Sequence, residues 1–231
     1  MSDATTTPWP DSGWFSTPSG RSVRLDPGAP LSGLDVTHAG HHDRLLALDL
    51  GATAAVAPVV ERWCCGPDLT VVVEPDDARL LRSTMTWRYR PDAGGIDAWE
   101  AVISAQTSLL ASDATVAVVS ECAAADVVVA GVDGWRPTPG GPLPSMSTAA
   151  LVRRPTTSVL VAVHPADLRQ VDVSIRDSVA RIGCVLFATA IEKGVLLRGR
   201  VLAAVGPRRL DEDWAGRLLA AFAVSPPPLS T

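Results

Sequence analysis

The stretch "RSTMTWRYR", Arg82 to Arg90, decides the fold. Ser83, Met85, Trp87 and Tyr89 fall on one side of it. Arg82, Thr84, Thr86, Arg88 and Arg90 fall on the other. Successive side chains of an extended strand point to opposite faces, so a period of two is a strand signal. The reading is a strand with one buried side and one cationic side.

Working outward, the same grammar recurs. "RLLALDL" (Arg44 to Leu50), "DLTVVVEP" (Asp68 to Pro75), "AWEAVISAQTSLL" (Ala98 to Leu110), "TVAVVSE" (Thr115 to Glu121) and "ADVVVAGV" (Ala125 to Val132) are short runs rich in Val, Thr, Ile and Trp. "PDD", "PDAGG" and "SDA" interrupt them as turns. After "GWRPTPGGPLPSMS" (Gly134 to Ser147) the pattern resumes with "SVLVAVHP", "VDVSIRD", "SVARIGCVLF" and "GVLLRGRVLAAVG". The join at Asp177–Ser178 has no Gly, which leaves its turn type open. "FATAIEK" reads as a short helical turn. One full helix is expected over "DEDWAGRLLAAFA", Asp211 to Ala223. It opens with acidic residues, carries Trp214, Leu218, Ala221 and Phe222 at helical spacing, and stops before "SPPPL".

The fold class that follows is mainly β: an antiparallel β-sandwich, in one piece or two halves, with one C-terminal α-helix. Residues 1–31, rich in Pro, Ser, Thr, Gly and Asp, read as an irregular N-terminal arm bearing Trp9, Trp14 and Phe15. Residues 32–231 form the sandwich domain, with 134–147 as an internal linker or long loop.

Composition narrows the function. With 231 residues the chain can bury a sizeable core. The net charge of −5 and the lack of a basic run argue against nucleic acid. No stretch of about 18 apolar residues or secretory leader is present, so no membrane is expected and the cytoplasm is the expected compartment. Cys64, Cys65, Cys122 and Cys184 lack metal or disulfide spacing and read as reduced, buried thiols. No P-loop, GxGxxG, GxSxG, HExxH or paired CxxC occurs, and no cofactor is expected.

Three stretches carry a family resemblance: "CGPDLTVVVEPDDARLLRSTMTWRY", "WEAVISAQTSLLAS" and "VHPADL…LFATAIEKGVLLRGRVLAAVGPR". From about Glu61 to the C-terminus they resemble a group of uncharacterised planctomycete bacterial proteins with QTSLL, HPSDF and LEKGV motifs. The group has no assigned function, so the resemblance implies none. The chain departs from it at Trp63 to Cys65, where an aromatic–Val–Arg run is expected.

Lys193, within "EKGV", is the only lysine among 20 basic residues. A lysine is a compact, titratable charge, suited to a general base or a single-point anion contact. The alternative is a structural role at a helix end, with Gly194 supplying a positive φ. In "HPADL", Asp167 can orient the His164 imidazole or cap a turn. Glu192 would complete an acid–base pair with His164 if the two meet. "THAGHHD" brings His38, His41 and His42 beside Asp43. That is a weak metal candidate in what reads as a loop, so the metal reading is none. Gln106, beside Glu100 and Thr107 among buried-looking neighbours, needs hydrogen-bond partners or lines a pocket. Arg82, Arg88 and Arg90 present a face for an anion or for solvent.

The candidate ligand-binding residues are Lys193, Arg198, Asp167, Gln106 and Arg88. The leading function is a non-catalytic binding or interaction module for a small molecule or a protein. The alternative is a mutarotase-like enzyme acting on a sugar or sugar phosphate through His164 and Glu192. A homo-oligomeric structural protein is the third reading.

Overall fold

A computed structural model describes residues 13–26, 28–50, 58–66, 68–74, 81–92, 94–131, 133–138, 141–142, 147–167 and 170–226. Trp9 and Leu168 of the sequence reading lie outside them.

Seventeen strands and one α-helix are formed by these residues. The strands are β1 (Trp14–Ser16), β2 (Ser22–Leu25), β3 (Leu34–His38), β4 (His41–Asp49), β5 (Val59–Cys65), β6 (Asp68–Val73), β7 (Arg82–Asp92), β8 (Ile96–Gln106) and β9 (Ala111–Ala123). They continue as β10 (Asp126–Gly131), β11 (Gly134–Pro137), β12 (Gly141–Pro142), β13 (Ala149–Arg153), β14 (Thr157–Val163), β15 (Gln170–Arg176), β16 (Val179–Glu192) and β17 (Leu196–Pro207). The helix α1 spans Asp211–Ala223.

Two antiparallel sheets pack face to face. One has eight strands in the order β1-β2-β3-β4-β9-β16-β15-β12. The other has nine, β11-β10-β13-β14-β17-β8-β7-β6-β5. The inward positions of both fill a single core, with Met85, Trp87, Trp99 and Ile103 from one sheet against Val116, Val118, Ile182 and Leu186 from the other. The alternation of Arg82–Arg90 is realised as read: Met85 and Trp87 are buried, and the arginines face outward.

Several sequence expectations change. Residues 14–25 are not an irregular arm. They pair as β1 with β2 and β2 with β3, because Val23 and Leu25 supply a core-facing alternation that the Pro- and Ser-rich context hides. The segment 134–147 does not join two halves: β10 pairs directly with β13 across it, and β8 pairs with β17. "FATAIEK" is not helical, since β16 runs unbroken to Glu192 with Ile191 opposite Ser112 and Glu192 opposite Ala111. At Asp177 and Ser178 the φ values are +49° and +61°, so both are left-handed. That closes a two-residue hairpin of the kind whose twist matches the strands, without glycine.

The helix falls where expected. Trp214, Ala215 and Phe222 bury against Ala98, Leu151, Leu160, Ala162, Leu202 and Ala204 on the outer face of the nine-stranded sheet. Gly206 permits this approach, because a Cβ there would lie 2.8 Å from the Trp214 ring. Asp211, at the start of the helix, accepts from Ser158 Oγ at 2.8 Å and pairs with Arg153 and Arg208 at 3.1 and 2.8 Å. At the same end of the nine-stranded sheet, on its inward side opposite Val205, Asp97 accepts from Thr17, Arg21 and Tyr89 at 2.7, 2.5 and 2.6 Å. Burial, together with this carboxylate, pushes the Tyr89 hydroxyl pKa far up.

Candidate functional site

α1 covers only part of the outer face. The rest, over β5, β6, β7, β8 and β17, is a groove of about 490 Å³. Strand register builds its floor in rows. Val72 stands opposite Thr84, Thr84 opposite Ser104, and Ser104 opposite Arg198. In the next row Trp63, Thr70, Thr86 and Val102 follow one another. Asp68 stands opposite Arg88 in a third. Arg82, Gln106 and Leu196 close one end.

The groove is polar because the outward positions of four neighbouring strands are polar. Thr70 and Thr86 share a hydroxyl hydrogen bond of 2.9 Å. Arg198 Nε donates to Ser104 Oγ at 3.2 Å. Arg88 Nε donates to Asp68 at 2.7 Å, and Arg82 donates to Glu61 at 2.8 Å. Trp63 stands at the rim with 46% of its surface exposed. A second depression, of about 330 Å³, lies on the other sheet around Arg44, Glu121 and Arg181. There Glu121 pairs with both arginines.

The structure brings Arg88, Gln106 and Arg198 into one groove. Gln106 is exposed rather than hemmed in by buried neighbours, because it points outward at the end of β8 while Ala105 points inward. Lys193 sits in the exposed turn after β16, where Gly194 has φ +84° and Val195 N–H donates to Glu192. That turn leads into Leu196 at the groove's end. Nothing in it distinguishes lysine from arginine.

His164 and Asp167 lie elsewhere. His164 follows β14, and its N–H donates to Arg200 O. Its Nδ1 accepts from Ala166 N–H at 3.2 Å, and its ring meets Phe222 edge-on at 5.2 Å. Arg200 lies over the same Phe222 and donates to Asp167, Ser225 and Pro226. Burial first, then the neighbouring Arg200 charge, lowers the His164 pKa.

Glu192 is not part of this cluster. It lies on the other sheet, beyond Leu196, and the Arg200 that faces His164 is four positions along β17 from Leu196, roughly 13 Å of strand. The carboxylate beside the imidazole is Asp167, 3.9 Å from His164 Nδ1, which raises its pKa; Glu100, buried and paired with Arg90 at 2.8 Å, acts in the same direction more weakly.

His38, His41 and His42 lie on a hairpin rather than in a loop. His38 stands opposite His41 across Ala39 and Gly40, both with positive φ. His42 contacts Thr37 and Asp35 at 3.3 and 3.5 Å. Among the described residues no three His, Cys, Asp or Glu side chains are placed to hold a metal ion. Cys122 and Cys184 are buried as expected, and burial pushes the Cys184 thiol up to about 12. Cys64 and Cys65 are exposed instead, because β5 is the edge of its sheet. No described helix is long and apolar enough to cross a membrane.

Sequence reasoning did not join Asp68, Thr70 and Ser104 to the groove. The alternation that marks β7 also runs through their strands, but the adjacency of β8 and β17 is not local.

No family model and no curated protein matches the sequence. The fold is similar to the crystal structure of a Klebsiella pneumoniae subsp. pneumoniae protein described as a "putative aldose 1-epimerase". The two share a TM-score of 0.55 and 8% identity, over 92% of this chain and 85% of the other. At that identity the likeness shows the fold alone.

Proposed function

We propose that this protein is a binding module that holds a small polar ligand, without transforming it, in the groove on the outer face of the nine-stranded sheet. One observation carries the reading. The groove offers convergent donors and acceptors on rigid strands: hydroxyls of Thr70, Thr84, Thr86 and Ser104, the Gln106 amide and three guanidinium groups. Such concave sites with a few fixed polar groups are where small ligands bind. The carboxylate among the lining residues, Asp68, is held by Arg88 rather than poised for proton transfer.

A second reading, an enzyme acting on a sugar or sugar phosphate, draws support from the fold likeness and from His164 on the same sheet face. In that reading the carboxylate beside the imidazole is Asp167, 3.9 Å from His164 Nδ1, rather than Glu192.

Thermal denaturation with sugars, sugar phosphates and organic anions tests the main reading. A ligand at a hundred times its dissociation constant adds about 2.7 kcal/mol. A compound that raises the melting temperature of the wild type, but not of Arg88→Met, is the expected result. If every stabilising compound acts equally on that variant, the groove is not the site. Turnover of a bound sugar that is lost in His164→Gln would favour the enzyme.

A further inference from the structure

The edge of a sheet is a row of backbone groups ready to pair with another strand, and proteins blunt such edges with short strands, prolines and charges. Among the described residues the two sheets end on β1, β12, β11 and β5. Three of these are blunted. β1 and β12 have three and two residues. β12 and β11 each end in a proline, Pro142 and Pro137. β5 is different: it has seven residues, VVERWCC, with no proline, glycine or lysine. Its register shift against β6 lies between Val59 and Glu61, which leaves Glu61 to Cys65 as a regular edge. Both faces of that edge are open, since Arg62 and Cys64 on one side and Trp63 and Cys65 on the other are all exposed. We propose that a second copy of this chain pairs antiparallel with β5 about a two-fold axis at Trp63, joining two nine-stranded sheets edge to edge.

The sequence of β5 selects both the occupant and the axis. Copies of one chain close into a dimer about a two-fold, which sets one residue opposite its own copy and fixes every other pair. With Glu61 or Arg62 on the axis, like charges stand directly opposite each other, which destabilises a strand pair. With Val60 or Cys64 there, the strands overlap only over Val59 to Glu61 or over Trp63 to Cys65. With Trp63 there, Glu61 to Cys65 all pair. Glu61 then stands opposite the second copy's Cys65, and Arg62 opposite its Cys64, so neither charge faces itself. The backbone agrees. Cys65 and Asp68 pair across a two-residue loop, which makes them a hydrogen-bonded closing pair. By alternation Trp63 turns its N–H and C=O toward β6, and Cys64 turns its own toward the open edge. Trp63 on the axis is therefore a non-hydrogen-bonded pair, the kind whose side chains stand closest, and two aromatic rings stabilise each other there. The axis is perpendicular to the sheet, so both copies turn the same face the same way. The two grooves, each with Trp63 in its lining, meet along it. The pairing does not depend on what the grooves bind.

Sedimentation velocity on the whole chain, with a reductant present, tests the association. Wild type should pass from the mass of one chain to that of two between about 1 μM and about 1 mM, the range of a small, non-obligate interface. Trp63→Asp sets two carboxylates opposite each other on the axis and should stay at the mass of one chain throughout. Trp63 is 46% exposed, so the melting temperature should hold. Cross-linking tests the axis and stands if that variant folds poorly. With Cys64 and Cys65 replaced by serine, Trp63→Cys should give a disulfide-linked dimer under copper–phenanthroline oxidation, because directly opposite residues of a non-hydrogen-bonded pair have Cα atoms about 4.5 Å apart. Glu61→Cys in the same background should not, because it lies four positions from its own copy along the strand, roughly 13 Å. Wild type that keeps the mass of one chain throughout overturns the proposal. So does Trp63→Asp associating like wild type, or Glu61→Cys cross-linking as readily as Trp63→Cys.

Discussion

One sheet face carries two opposite surfaces. Over β10, β13, β14 and the second half of β17 the outward side chains are Val128, Leu151, Leu160, Ala162, Leu202 and Ala204, and α1 covers them. Over β6, β7, β8 and the first half of β17 they are Thr70, Thr84, Thr86, Arg88, Ser104 and Arg198, and nothing described covers them. The backbone is continuous, and the change occurs within β17 itself, between Arg200 and Leu202. What a sheet face does is therefore set position by position along each strand. The helix goes where burial of apolar area stabilises it, and the site opens where it does not.

The most damaging change to the covered half is Trp214→Ala. Trp214 is buried, packs over Gly206 and donates to Pro207 O at 2.9 Å. Urea unfolding should show a loss of about 3–5 kcal/mol. If the variant keeps its stability, α1 does not depend on this face. Next is Asp211→Asn, which removes the buried carboxylate shared by Arg153 and Arg208 and leaves Arg153 only the more exposed Asp126 and Glu212. A loss of about 2–3 kcal/mol is expected, measured the same way.

A reciprocal pair then tests the contrast directly. Ala162→Thr places a hydroxyl under the helix at a fully buried site and should cost about 2 kcal/mol. Thr86→Val removes a hydroxyl from the open groove and should change stability by no more than about 1 kcal/mol. Similar costs for the two would erase the distinction between the halves.

The smallest effect falls on the boundary, at His164. Its folded pKa lies below the ordinary imidazole value of 6.5, chiefly through burial. Its neutral form therefore stabilises the fold fully above about 6.5, and that contribution is lost as pH falls through the folded value. His38, lowered as well, has the same sign. Unfolding midpoints at about pH 8 and about pH 5 should thus converge more in His164→Gln than in the wild type. An unchanged pH dependence would show that the imidazole is not sensed there.

Much of this contrast was legible in the sequence, and for a physical reason. Alternation is local, so Arg82–Arg90 declared its two sides, and the 3.6-residue spacing of Trp214, Leu218 and Phe222 declared the helix. Arg88, Gln106 and Arg198 were marked as ligand contacts on residue chemistry alone. Their meeting depends on β8 pairing with β17 some ninety residues later, which no local pattern encodes. The same limit misjoined His164 to Glu192. His164 follows β14 and Glu192 ends β16, and those strands belong to different sheets. The N-terminal hairpin was missed because its two core residues, Val23 and Leu25, are too few to stand out from the polar residues around them.

The placement of β16 and β17 has a kinetic consequence. These late strands are not at the edges. β16 lies between β9 and β15, and β17 between β14 and β8. A nascent chain that has emerged only as far as residue 178 holds both sheets in separate fragments, each with an unpaired internal edge. Neither sheet can close until those last central strands arrive, so the pairing that completes the molecule is of long sequence range and slow. During that interval the open edges are the surfaces a chaperone would shield.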